Sequence, residues 1–330
     1  MSGVSNDFMC PPILLIGFNR PDYMAEQISA IRPARPNRVY IAVDGPRSDR
    51  PGEDKVCSLV RDCTKLVDWP CEIKTLFRTK NLGCKHGVSG AITWFFENES
   101  EGIILEDDCR PAYDFFRFAG ELLERYRDDE RIGAICGFNF FNLQQDKAAS
   151  YHFSSRMDVW GWASWRRVWK FYDVEIANNR TDDVLKAIEE SNLSAYNKKV
   201  HRRFVKEVRN GLSTWDVQFS LLFMVKKMLS IVPRERLIAN VGLASPQATH
   251  TGGYVYWNKR WSQTGRVVFP LCHPDAVVCD DNADKLHDRI FGAFFPRALT
   301  WLGCKVPIVR DFLDSLGKRV ESFLPILFRL

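Results

Sequence analysis

The sequence predicts an α/β protein in which a mostly parallel sheet is flanked by helices. Between residues 13 and 136, short apolar runs alternate with stretches whose apolar residues recur at helical spacing. Strands that are apolar along their whole length are typical of sheets covered on both faces, and strand–helix alternation is typical of parallel strands. The 330 residues, 45% of them hydrophobic, are enough for one large core with a smaller appendage.

The first two strands illustrate the pattern. Residues 13–18 are continuously apolar, and Asn19 is then predicted to cap a helix that carries Pro21 in its first turn. Residues 39–43 form a second apolar run, which ends at Asp44 before a glycine and a proline. Each of these strands is therefore followed by polar side chains at its carboxyl end.

The later elements repeat this alternation with less regularity. We expect further strands at residues 73–77, 103–105, 132–136 and 229–232, and helices at residues 56–67, 85–96, 113–127 and 217–228. A stretch with four tryptophans, at residues 157–169, and a polar helical stretch, at residues 178–212, separate the last two strands.

Polar residues gather where the predicted strands end, which is where parallel sheets bind ligands. Asp44, Asn81 and the acidic triplet Glu106, Asp107 and Asp108 all follow strands. Three adjacent carboxylates repel one another, so a cation is expected beside them, and oxygen ligands suit Mg²⁺ or Mn²⁺. A helix start, where carboxylates interact favourably with the helix dipole, is the other reading of the triplet.

Arg20 and Asp44 have two readings each. Arg20 follows the first strand and either binds phosphate or a base, or lies on the surface near a helix start. Asp44 either accepts a hydrogen bond from a base N–H or opens a turn. Asp216 precedes a helical run, where an aspartate is ordinarily a helix cap.

Several common enzyme classes lose their main sequence support. The chain has no GxGxxG after the first strand, no GxxxxGK[ST] and no GxSxG. A net charge of +5 without a continuous basic arm does not indicate nucleic-acid binding. A metal ion with a few positioned side chains suits the departure of a diphosphate leaving group, and this chemistry fits the residues best.

The amino-terminal residues and the cysteines indicate a cytoplasmic protein. We see no charged start followed by an apolar region and no run of 18 apolar residues, so neither a secretory signal nor a spanning helix is expected. The ten cysteines are scattered and form no CxxC pair. Cys57, Cys63 and Cys136 fall in helix and strand patterns, where buried reduced thiols are expected, and no zinc site is predicted.

Six segments that occur in one order carry a family resemblance. PPILLIGFNRP, VYIAVDGP, CKHGVSGAITWFF, GIILEDDCRPAYDFF, WGWASWRRVW and STWDVQF resemble segments of GT-A fold glycosyltransferases. The nearest likeness is to the N-acetylglucosaminyltransferase I type and its bacterial relatives, over residues 11–255. The resemblance implies a GT-A catalytic domain at residues 1–270, with a nucleotide-sugar half (11–150), an acceptor half (151–270), and a C-terminal helical segment at 271–330.

The resemblance also implies a nucleotide-sugar donor, most simply a UDP-sugar, and roles for individual residues. Arg20, Asp44 and His86 would contact the nucleotide, and Asp107 would face the ribose. The acceptor would be a glycan or a lipid-linked hydroxyl. The segment at residues 159–162 departs from the family's Gly-x-Gly-Trp pattern, which puts the acceptor side in doubt.

The remaining roles implied by the resemblance concern the reaction itself. Asp108 would coordinate a Mn²⁺ or Mg²⁺ ion that bridges the two phosphates, and Glu106 would face the transferred sugar. Asp216 would be the general base of a single displacement with inversion. His250, in a loop that closes over the diphosphate in this family, would contact phosphate or metal, or would be an ordinary loop histidine.

Two other functions and one membrane contact remain open. The chain could be a sugar-1-phosphate nucleotidyltransferase, although the glycine-rich loop of that class is missing, or a non-enzymatic glycan-binding protein whose tryptophans stack on sugars. Residues 286–330 carry an amphipathic, basic pattern. They could lie on the inner face of a membrane, where a lipid-linked acceptor would be met, or pack against the catalytic domain or a second subunit.

Overall fold

A computed structural model describes residues 8–140, 149–242 and 262–292. Eight strands form one sheet: β1 (Ile13–Gly17), β2 (Arg38–Val43), β3 (Glu72–Phe77), β4 (Glu101–Glu106), β6 (Ile132–Cys136), β7 (Tyr151–Ser154), β8 (Trp162–Trp165) and β9 (Leu229–Pro233). A two-stranded ribbon consists of β5 (Cys109–Pro111) and β10 (Ile238–Asn240). The order in the large sheet is β3-β2-β1-β4-β8-β6-β9-β7.

The predicted mostly parallel sheet is confirmed. Strands β3, β2, β1 and β4 run parallel to one another, and β6 and β9 run in the same direction. β8 and β7 are antiparallel to their neighbours. The short ribbon strands and the two antiparallel strands are absent from the sequence prediction. Three or four residues are too few to establish a period, and in β8 all four are buried.

Helices cover the sheet, and some of them form a second, smaller hydrophobic cluster beside the main core. They are α1 (Pro21–Ile31), α2 (Glu53–Asp62), α3 (Ser89–Asn98), α4 (Tyr113–Arg125), α5 (Arg166–Trp169), α6 (Asn178–Glu190), α7 (Ala195–Arg209), α8 (Asp216–Lys226) and α9 (Asp281–Gly292). A π-helical turn, Cys84–Val88, leads into α3. Short 3₁₀ turns, Arg32–Ala34 and Cys63–Leu66, follow α1 and α2.

The core lies where the apolar runs of the sequence indicated it. β1 and β6 are buried along their whole length, and the predicted thiols Cys57, Cys63 and Cys136 are buried and free. Each fully buried Ile or Leu side chain contributes about 1.5–3 kcal/mol. One local prediction was wrong. Arg20, not Asn19, occupies the N-cap of α1, and the Asn19 amide instead donates to Glu53 Oε1 (3.1 Å).

Three of the four tryptophans at residues 157–169 belong to the core. Trp162, Trp165 and Trp169 are at most 5% exposed, and Trp162 stacks on Trp215 with ring centroids 6.0 Å apart. Strand β8 lies between β4 and β6, which places its side chains inside the molecule. Rings buried in this way cannot stack on a bound glycan, which removes the main basis of the glycan-binding alternative.

A buried ionic cluster docks α9 on the sheet. Arg156 donates two hydrogen bonds to Asp288 (2.9 and 2.8 Å), and Asp284 accepts hydrogen bonds from Ser154 (2.5 Å) and Ser155. The backbone adds a bond from Asp280 N to Phe153 O (2.8 Å). The start of the predicted C-terminal segment is therefore packed against the edge of the sheet. Residues 293–330, which include most of the predicted membrane contact, lie outside the described residues.

None of the helices in residues 8–140, 149–242 and 262–292 has the length and apolar character needed to cross a bilayer.

Candidate functional site

The carboxyl ends of three neighbouring strands meet at one edge of the sheet. Gly17, the last residue of β1, is paired with Val43 of β2, and Ile16 is paired with Glu106 of β4. The chain segments that follow these strands are therefore close together. This register explains why Arg20 reaches the acidic triplet, which is 87 residues away along the chain.

Arg20 forms the main ion pair of the site. Its Nε lies 3.1 Å from Asp107 Oδ2, a second hydrogen bond joins Nη2 to Oδ1, and Nη2 lies 3.8 Å from Asp108 Oδ2. The Tyr23 ring is contacted by the guanidinium groups of both Arg20 and Arg110, at 4.9 and 5.1 Å from its centroid. Cation–π contacts of this kind help to fix the orientation of the arginines.

Backbone contacts hold the acidic triplet in place. The buried amide of Gln27 donates to the carbonyl oxygens of Glu106 (2.6 Å) and Cys109 (3.4 Å), on either side of the turn. Val241 N donates to Asp108 O (2.9 Å). Any Cβ at Gly242 would clash with the Asp108 carboxylate, so only glycine allows this close approach. Residue 242 is also the last described residue before the segment that contains His250.

The carboxylates of the site outnumber the cations near them. Burial and the charges of Asp108, Asp107 and Asp216 raise the pKa of Glu106 well above its usual range. Burial also raises the pKa of Asp107, to about 6, although the Arg20 guanidinium opposes that shift. Excess negative charge in a partly buried site favours the binding of a cation.

Asp216 reaches the same site from the start of α8. Its charge acts on Glu106, on Cys84 and on Tyr172, so these side chains share one electrostatic environment. The Thr214 hydroxyl donates to Asp216 Oδ1. Asp216 heads α8 but forms no side-chain cap there, since the N-cap position is occupied by Trp215.

Two further hydrogen bonds fix the segment before α8. The Tyr172 hydroxyl donates to Trp215 O (3.0 Å), and Gln218 Nε2 donates to Thr214 O (2.7 Å). Tyr172 is itself stacked on Trp169, with centroids 4.2 Å apart. Asp216 is therefore carried on a backbone that is held on two sides, by the partly buried Tyr172 and the buried Gln218.

The carboxylate of Asp44 is held by two loops, its own and the one after β3. Its oxygens accept hydrogen bonds from the backbone N–H groups of Gly45 (2.9 Å), Leu82 (3.0 Å) and Gly83 (3.1 Å), and from the Asn81 amide (3.0 Å). These bonds join the end of β2 to the loop after β3, which supports the turn reading of Asp44. Its contact with a nucleotide base stays a prediction.

His86 has its charge contact with Glu175 and not with the acidic triplet. It occupies the π-helical turn before α3, is about half exposed, and has its Nε2 3.7 Å from Glu175 Oε1. Together with Trp94, Glu97 and Tyr172 it lines a cavity of about 370 Å³. Its predicted nucleotide contact is untested, and His250 lies outside the described residues.

The predicted metal site has a small donor set. Within the described ranges, no group of three or more His, Cys, Asp and Glu side chains is arranged to hold an ion by itself. Mg²⁺ and Mn²⁺ enzymes commonly use one or two carboxylates and complete the coordination with substrate phosphates and water. Asp108, with a quarter of its side chain exposed and further carboxylates beside it, fits such a partial site.

Several residues of the site carried no usable signal in the sequence. Gln27 donates a hydrogen bond to a backbone carbonyl oxygen of the triplet, and Gly242 allows a close approach to Asp108. Neither kind of contact has a sequence motif. Cys84 and Tyr172 lie beside the carboxylates only because the π-helical turn and the segment after α5 fold back toward α8.

Comparisons with known proteins give a faint likeness. No protein-family model and no curated protein matches the sequence. An apo UDP-glucose pyrophosphorylase is 6% identical over 68% of this chain and 90% of that one, with a TM-score of 0.32. A UDP-glucose pyrophosphorylase complexed with UDP-glucose is 9% identical over the same shares, with a TM-score of 0.30.

A third solved structure is similar to the same low degree. The glycosyltransferase GlyE from Streptococcus pneumoniae TIGR4 is 10% identical over 77% of this chain and 59% of that one, with a TM-score of 0.29. TM-scores of this size carry no argument about activity. The function of the chain must therefore be argued from the side chains at the carboxyl edge of its sheet.

Proposed function

We propose that the protein is a glycosyltransferase of the GT-A type that moves a sugar from a nucleoside-diphosphate donor, most simply a UDP-sugar, to an acceptor hydroxyl with inversion. One observation carries the proposal: the charge of Asp216 helps to raise the pKa of Glu106, although Asp216 comes from a distant part of the chain. A carboxylate opposite a site for the diphosphate is the arrangement that a single displacement requires.

The reaction can be written with the residues of the chain in defined roles. Asp216 takes the proton of the acceptor hydroxyl as the hydroxyl oxygen attacks the anomeric carbon. The bond between that carbon and the phosphate oxygen breaks, and the nucleoside diphosphate leaves with the bonding electrons. Positioned base catalysis of this kind contributes about 10²–10⁴-fold to the rate.

The other side of the donor is assigned to Arg20 and the acidic triplet. Asp108 would hold a Mn²⁺ or Mg²⁺ ion, which when bound supplies charge stabilisation to the departing diphosphate. Asp107, held by Arg20, would orient the ribose, and Glu106 would face the transferred sugar. Arg20 is restrained by Asp107 and Tyr23, so its charge is preorganised rather than free in solvent.

A donor panel tests the proposal. The protein is incubated with UDP-, GDP-, dTDP- and CMP-sugars and Mn²⁺, and release of the nucleotide is measured by chromatography. We expect release from one class of donor, its loss with EDTA, and its recovery with added Mn²⁺. A parallel reaction with UTP and a sugar 1-phosphate examines the nucleotidyltransferase alternative. Pyrophosphate formation there, without release from any nucleotide sugar, would overturn the proposal.

A further inference from the structure

The two outer strands of the large sheet differ in how their edges are covered. β7, at one end, has four residues, and its Phe153 forms an isolated bridge with Cys279 and accepts a hydrogen bond from Asp280 N (2.8 Å). Helix α9 begins directly after this contact. β3, at the other end, has six residues and pairs only with β2 in the described part of the chain. An uncovered edge strand is a template for pairing with another strand.

The pairing of β3 with β2 shows which of its backbone groups point outward. Glu72 N donates to Asn37 O (2.8 Å), and Arg78 N donates to Val43 O (3.1 Å). Every second residue from 72 to 78 therefore directs its backbone groups toward β2, because the pairing is parallel and continuous. The three residues between them direct their N–H and C=O groups to the open edge: Ile73, Thr75 and Phe77. All three are exposed within the described structure.

β3 has few of the features that usually protect an open edge from pairing. Its register with β2 is continuous over six residue pairs, so no bulge twists it away, and it contains no proline. Ile73 and Phe77 are 37% and 38% exposed and lie on the same face as Thr75. Lys74 belongs to the other face, where its Nζ donates to Asn98 Oδ1 (3.1 Å). The edge therefore combines exposed apolar side chains with outward backbone groups.

A second copy of β3 matches this edge in its hydrogen bonding. Two copies related by a two-fold axis run antiparallel, and the outward residues of one copy must lie opposite those of the other. Only an axis at Thr75 pairs all three outward residues, with Ile73 opposite Phe77 and Thr75 opposite Thr75 of the second copy. Each opposed pair then exchanges two hydrogen bonds.

The charges of the strand select the same register. With the axis at Thr75, Glu72 of each copy lies opposite Arg78 of the other, and opposite charges on facing residues stabilise a strand pair. An axis at Leu76 would place Lys74 opposite Arg78. An axis at Lys74 would place the two copies of this lysine opposite each other. Like charges in these positions are destabilising, so hydrogen bonding and charge agree on one arrangement.

We propose that the protein forms a two-fold dimer in which the β3 strands of two copies pair antiparallel about Thr75 and join the two sheets edge to edge. A single strand pair is a small interface, so the dimer dissociates on dilution. The dimer does not depend on the proposed glycosyl transfer, because β3 carries none of the residues that were assigned a role in that reaction.

Sedimentation velocity of the full chain over a range of concentrations tests the proposal. We expect a species with twice the mass of one chain at high concentration, and its dissociation on dilution. Thr75→Pro removes the outward N–H at the axis and should abolish the dimer, and proline is tolerated where the N–H of an edge strand faces solvent. Thr75→Val is the matched control, because it keeps the N–H and a β-branched side chain, and should dimerise like the wild type.

Charge reversal keeps the test decisive if Thr75→Pro does not fold. Glu72→Arg places like charges opposite each other in both symmetric pairs and should weaken the dimer by about 2- to 30-fold. Arg78→Glu should act in the same direction, and the double variant should recover dimerisation. Circular dichroism checks that each variant is folded.

Three outcomes would overturn the proposal. The first is a single species with the mass of one chain at every concentration, which would leave the edge to another strand or to none. The second is a dimer that persists unchanged in folded Thr75→Pro. The third is a double charge variant that dimerises as weakly as the single variants.

Discussion

Two buried groups of carboxylates in this molecule differ in how well their charges are balanced. At the carboxyl edge, Glu106 and Asp107 have raised pKa values, because burial and neighbouring carboxylates outweigh the nearby guanidinium groups. In the α9 docking cluster, burial by itself would raise the pKa of Asp284, but hydroxyl donors and Arg156 lower it below its usual value.

The comparison separates a structural group from a functional one. The docking cluster supplies donors for its carboxylates, and a network with satisfied hydrogen bonds stabilises the fold. Within the described residues, the edge cluster of Glu106, Asp107 and Asp108 has more carboxylates than cations, so a ligand or a bound cation would stabilise it. Substitutions should therefore act on activity in one cluster and on stability in the other.

The largest effect is expected at the edge cluster. Asp108→Asn should lower metal-dependent nucleotide release by about 10⁴-fold, because several kcal/mol of charge stabilisation is lost. Its free energy of unfolding should stay the same or rise, since one of several repelling charges is removed. Donor turnover and urea unfolding measure the two quantities. Full turnover together with a lowered free energy of unfolding in Asp108→Asn would contradict the expectation that the edge cluster acts on activity and not on stability.

Asp216→Asn should separate catalysis from donor binding. We expect turnover to fall by about 10²–10⁴-fold, because the acceptor hydroxyl loses its base. Donor affinity, measured by calorimetry with the nucleoside diphosphate and Mn²⁺, should change little. Loss of donor affinity would assign Asp216 a structural part in the cluster instead.

The docking cluster should show the opposite behaviour. Arg156→Met is expected to lower the free energy of unfolding by about 3–5 kcal/mol, because it leaves Asp284 and Asp288 without their guanidinium partner. Arg131→Met is a matched control, since Arg131 pairs with Asp129 on the surface, and its free energy of unfolding should change little. Equal losses in the two variants would mean that burial of the pair is not decisive.

The smallest effect concerns acid pH. Because the folded pKa of Asp284 is lowered, the unfolded state binds the proton at higher pH than the folded state does. The stabilisation is present above about pH 4 and is lost as pH falls through the lower folded pKa. Urea unfolding at pH 5, 4 and 3 should show a shallower loss in Asp284→Asn than in the wild type. Parallel curves would contradict this assignment.

The sequence predicted the parallel half of the sheet better than the antiparallel half. β1, β2 and β4 are buried along nearly their whole length, so their apolar runs stand out. In β8 the tryptophans are buried in the same way, but the strand is short and runs against its neighbours, which depends on contacts far along the chain. No local pattern contains that information.

The site was predictable to the extent that it follows strand ends. Arg20 and the triplet could be placed together because β1 and β4 end at the same edge. Asp216 entered only through the family resemblance, since an aspartate before a helix is ordinarily a cap. The contact of Asp44 with a nucleotide base stays a prediction. In the structure its carboxylate accepts hydrogen bonds from Gly45 and from the loop after β3.

The position of β8 sets the sequence of events when the chain is synthesised. β1 to β4 are complete at residue 106 and can pair with one another as soon as they emerge. β6 follows them but has no neighbour among these strands, because β8 and β9 flank it in the sheet. β8 lies between β4 and β6, so these two parts of the sheet are joined only once residue 165 is made. Asp216 is made later still. More than a hundred residues are therefore added after the acidic triplet before Asp216, the proposed base, is made.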